Sequence, residues 1–94
     1  MDRWKLVSSG GKESQDPRLL VANIAAVFFG QDTGFKFAGS TSQSQAIESA
    51  LIASQNFHSS LGNGATLETV SQALKEKNKA GLDFYATTGV RWPL

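Results

Sequence analysis

The chain contains no cysteine in its 94 residues, which excludes disulfide staples, thiolate metal sites and cysteine nucleophiles. A cysteine-free chain suits a reducing compartment, and the expected localisation is cytoplasmic. Histidine is nearly absent too, with one residue, His58. A catalytic or metal-binding histidine needs an orienting carboxylate, a nucleophile or further ligands. Glu48 is ten residues away in sequence, about 15 Å along a helix, so His58 reads as a polar residue flanking an apolar stripe. The remaining carboxylates are scattered over positions that suit caps, turns and exposed helix faces, with no clustering for acid–base work. The expectation is a non-catalytic protein without a metal or cofactor.

An excess of one charge is missing as well. Nine lysines and arginines face eight acidic residues, for a net charge of +1, without the basic surplus usual in a dedicated nucleic-acid binder. Long apolar runs are also lacking. The longest such stretch, RLLVANIAAVFF at 18–29, falls short of the roughly 20 residues that span a bilayer, and Asn23 interrupts it. The opening MDRWKLVSSGGKES has no apolar segment of the signal-peptide kind. No membrane association is expected.

What the sequence does hold is globular: 40% hydrophobic and 18% charged residues, far from the composition of a disordered chain. Trp4 and Leu6 beside Ser8, Ser9, Gly10 and Gly11 read as a flexible arm over 1–15, followed by one small domain over 16–94. The string SSGGKES lacks the spaced first glycine of a phosphate loop, since Leu6 stands where that residue is required. Gly62-Asn63-Gly64 is likewise a lone turn.

Three helices are expected, near 17–29, 42–61 and 66–79. Asp16-Pro17 is a favoured helix start and Gly30 a favoured stop. The stretch between them is apolar nearly all round, so periodicity leaves helix and strand both open, and length and punctuation favour a buried helix. Asn23 would then need a buried partner. Ile47, Ala50, Leu51, Ser54, Phe57 and Leu61 follow helical spacing, with Leu51 placed at the centre of the stripe. Thr66 with Glu68 opens a third helix, Lys75, Lys77 and Lys79 suit its C-terminal end, and Ala80-Gly81 suggests its stop. Phe35-Lys36-Phe37 is a minimal strand or a pinned loop. The fold class is mostly α, a bundle of about three helices with an aromatic tail over 82–94 packed on it; the alternative is α+β with short strands.

Aromatic residues are plentiful for so short a chain, at 10%. A small core has little room to hide them all, and an exposed apolar patch marks an association surface. The favoured function is a protein-interaction or assembly module, self-associating or binding another protein, with Trp4, Phe35, Phe37, Phe84, Tyr85 and Trp92 as interface residues. A second reading comes from residues 51–79. Helix, glycine turn and a helix carrying Thr69 and Gln72 resemble the helix-turn-helix of DNA-binding proteins. That resemblance implies base contacts from Thr69 and Gln72 and phosphate contacts from Lys75, Lys77 and Lys79.

Overall fold

The computed structural model describes residues 4–94. It contains three strands and three helices in the order β1 (Leu6–Ser8), β2 (Glu13–Ser14), α1 (Pro17–Phe28), β3 (Phe35–Phe37), α2 (Thr41–Ser60) and α3 (Leu67–Thr88). The protein is mostly α, as its spacing and punctuation predict. Local chemistry explains each helix start. At α1 the Asp16 carboxylate accepts the Arg18 N–H at 2.9 Å, with Pro17 in the first turn. That bond, and the Arg18 guanidinium beside it, hold the Asp16 carboxyl below the usual carboxylate range. Ser40 and Gln43 form a reciprocal capping box at α2, and Thr66 and Thr69 form another at α3.

The third helix departs from the expected stop at Ala80-Gly81 and runs on to Thr88, ending at Gly89 in the left-handed conformation with φ 77°. Alanine is the best helix former and an interior glycine costs only about 1 kcal/mol. Continuing the helix buries Phe84, which is 0% exposed, a gain that outweighs the penalty. The aromatic tail expected over 82–94 is therefore helical as far as Thr88, and residues 89–94 alone fold back. Trp92 lies directly over Gly81, where a side-chain carbon would sit 3.2 Å from the Trp92 Cβ. The glycine that reads as a stop is a contact point for the tail.

The N-terminal segment also departs from expectation over residues 4–15. Residues 1–3 lie outside the described residues, and the described part does not stand apart from the body as an arm. β1 pairs antiparallel with β2 on one side and with β3 on the other, Leu6 facing Ser14 and Phe37. The Ser-Gly-Gly segment that suggested flexibility is the hairpin turn, with Gly11 at φ 84° and the Ser8 N–H bonded to the Lys12 carbonyl at 2.8 Å. Strands of two and three residues leave too short an alternation to read in advance.

The core joins Trp4 and Leu6 to Leu20, Ile24, Ala50, Phe84 and Val90. α2 and α3 lie antiparallel along their lengths: Gln43 at the start of α2 donates to the Thr87 carbonyl at the end of α3, and Lys77 sits over the Phe57 ring. In α2 it is Ala50 that is fully buried, while Leu51 is half-buried one position round the helix. α1 buries Leu20, Asn23, Ile24 and Ala26 on one side and leaves Val27 and Phe29 exposed, so it is covered on one face only. Asn23 is satisfied where it is buried: its Nδ2 donates to the Leu19 carbonyl at 2.7 Å and its Oδ1 accepts from the Thr33 hydroxyl.

One close approach yields a test. A Cβ on Gly39 would lie 2.4 Å from the Phe37 ring and 2.6 Å from Gln43 Oε1. Neither neighbour yields freely, because the ring packs on the core and Gln43 is buried in the capping box. Gly39→Ala is expected to lower stability by about 1–3 kcal/mol. Chemical denaturation measures this, and an unchanged midpoint would mean that the Ser40 cap tolerates displacement.

Candidate functional site

The back of α3 is committed to the core through Phe84, with Ala80 packed beside it. A second row of apolar side chains runs along the same helix about a third of a turn away. It consists of Leu67, Leu74, Leu82 and Tyr85, all exposed, with Leu67 85% and Leu82 70% accessible. At 100° per residue these four positions share one face. The tail runs beside the C-terminal half of this row. Between them lies an open groove of about 610 Å³. α3 contributes Lys77, Gly81, Leu82 and Tyr85, and the tail contributes Arg91 and Trp92.

Three interactions hold the tail as the groove's second wall. The Trp92 indole N–H donates to Ser54 Oγ at 2.7 Å. Its ring meets Phe84 edge to face, with centroids 4.9 Å apart. Lys77 Nζ donates to the Leu94 backbone oxygen at 2.6 Å. Ser54 is itself buried, so the indole contact satisfies two polar groups that would otherwise be stranded. Gly81 supplies the room that lets Trp92 approach the helix.

The groove is cationic at its rim. Lys77 and Arg91 line it together with Asn78, and no acidic side chain does. The ion pairs among the described residues, Lys5 with Glu13 and Arg18 with Asp16, leave Arg91 unneutralised. Among the described residues there is no cluster of three or more metal-ligating side chains, and no helix is long and apolar enough to cross a membrane.

Of the six aromatic positions expected at an interface, Tyr85 and Trp92 meet in the groove. Trp4 and Phe84 are buried, so neither offers a surface, and Phe35 and Phe37 are half-buried against the core. The core takes up more of the aromatic surplus than expected because the sheet and the longer α3 enlarge it. Leu67, Leu74 and Leu82 escape a reading that looks for aromatics, although their shared helical face was readable once α3 was known to pass Gly81.

The residues of the helix-turn-helix reading are placed differently. α2 and α3 pack antiparallel, whereas helix-turn-helix units cross at roughly 90–120°. Thr69 is part of the α3 cap, Gln72 donates to Glu76 at 3.2 Å, and Lys77 is engaged by Leu94 and Phe57. Lys75 and Lys79 are exposed. The chain matches no protein-family model, no curated protein and no solved structure.

Proposed function

We propose that the protein is a small non-catalytic interaction module that assembles with protein through the groove between α3 and the tail. The observation that carries this reading is the exposed apolar row on α3, which continues into a groove walled by Tyr85 and Trp92. Ser71 and Asn78 interleave with the row, and its apolar groups gather at Leu82, Tyr85 and Trp92, where an exposed apolar cluster marks an association surface. Aromatic residues and arginine, the types that dominate binding energy at interfaces, stand together at its end. The absence of cysteine suits a reducing, cytoplasmic setting for such a module.

Sedimentation equilibrium of the intact chain at micromolar concentration is expected to show mass rising above the monomer. Leu82→Gln is expected to abolish that rise, because it replaces an apolar wall of the groove with a polar, uncharged side chain. Leu82 is 70% exposed, so the same variant should lose no more than about 0.5 kcal/mol of folding stability. A chain that stays monomeric at every concentration tested would overturn the assembly reading.

A further inference from the structure

Resting on that reading, we propose that the groove's occupant is the Phe29 corner of a second copy of this chain, held in a head-to-tail contact. The groove calls for an apolar group flanked by negative charge, since its lining holds no acidic side chain and Arg91 stands free of any ion pair among the described residues. The chain presents such a group elsewhere on its surface. Phe29 caps the C-terminus of α1 and is 70% exposed, with Val27 exposed beside it. Three residues on, Asp32 accepts the Gly34 N–H through Oδ1 at 2.9 Å, which leaves Oδ2 for a cation. α1 carries no basic residue in its last turn, so no side-chain cation there offsets the negative end of its dipole. An aromatic knob on a negative helix end thus faces an aromatic-walled groove with an unneutralised arginine.

Knob and groove of one chain do not meet. Phe28, next to the knob, packs edge-on against His58 with centroids 5.9 Å apart. The adjacent residue, Phe57, lies instead under Lys77 at the groove, and neighbouring side chains on a helix diverge by about 100°. A contact between them therefore runs from one copy to the next, and such heterologous contacts form chains or rings. The symmetric alternative, two α3 rows paired antiparallel, is opposed by charge. Seating Leu67 of one copy against Tyr85 of the other centres the two-fold axis on Glu76. At 100° per residue Lys75 and Lys77 flank the row on either side at that level, so the axis brings two such pairs together, and like charges repel.

Mixing two variants tests the geometry. Phe29→Ser removes the knob and Leu82→Gln disables the groove, both at exposed positions. Each variant alone is expected to sediment as a monomer where the natural chain associates beyond a dimer. An equimolar mixture is expected to form a dimer and nothing larger, because it contains one intact knob and one intact groove per pair. Charge reversal gives an independent measurement: Arg91→Asp and Asp32→Arg should each weaken association at least tenfold, and the two combined in one chain should restore it. Association that survives Phe29→Ser, a mixture that stays monomeric, or a failed charge restoration overturns the head-to-tail contact while leaving the assembly reading intact. A natural chain that never associates overturns that reading itself, a separate result.

Discussion

Phe84→Ala is expected to cost about 3–5 kcal/mol of folding stability, the largest loss of any single truncation in this protein. Phe84 is 0% exposed and among the largest fully buried side chains. It sits where three parts of the molecule converge: the interior face of α3, the core that includes Leu6, Leu20 and Ala50, and the Trp92 ring at 4.9 Å. Removing the ring leaves a cavity that no single neighbour fills, and it takes away the edge-to-face support for the tail. Small domains hold only about 5–15 kcal/mol in total, so the variant should populate unfolded chain measurably at 37 °C. Urea denaturation with intrinsic tryptophan fluorescence measures the effect. A loss below about 1 kcal/mol would mean that the tail and α3 close over the gap.

Leu6→Ala is the second large effect, at about 2–5 kcal/mol. Leu6 is 1% exposed and stands in the central strand, between Ser14 on β2 and Phe37 on β3. Its side chain joins the sheet to α1 through Leu20 and Ile24. The variant separates two views of the N-terminal segment. An arm lying loosely on the surface would lose almost nothing on truncation of Leu6, whereas a central strand should lose stability in the same cooperative transition as the helices. Thermal melts followed by near- and far-ultraviolet circular dichroism report whether the two signals move together.

The helices were legible because their punctuation and spacing are strong. Asp16-Pro17 and Thr66 mark starts within a residue of those observed, each with a local hydrogen-bond cause, and the apolar spacing that places the second helix near 42 meets an observed start at Thr41. The misreadings share one physical origin, which is that long-range burial decided the conformation. Gly81 ends a helix by its own preference, but the burial of Phe84 and the docking of Trp92 carry the helix past it. Ser8 to Gly11 look flexible by composition, yet β1 finds a partner at β3, almost thirty residues further along. The site was harder still. Tyr85 and Trp92 were singled out for their residue type. Leu82 and Arg91 were not, because their role comes from the packing of the tail against α3.

The bond from Trp92 to Ser54 joins residues 38 positions apart, and this separation bears on the order of folding. The two long helices meet through a short turn and can form early, since contacts close in sequence require little loop closure. The last six residues have nowhere to dock until that hairpin exists, so they should be the final segment to settle and the first to open. Their amide hydrogens should accordingly exchange faster than those around Phe84, through a partial opening that leaves the helices intact. Each opening also dismantles one wall of the groove. The fraction of time the tail spends docked therefore sets how much of the population is competent to bind, and apparent affinity falls in proportion to that fraction. The Trp92–Ser54 hydrogen bond would then govern association from the side of the groove that faces away from the partner.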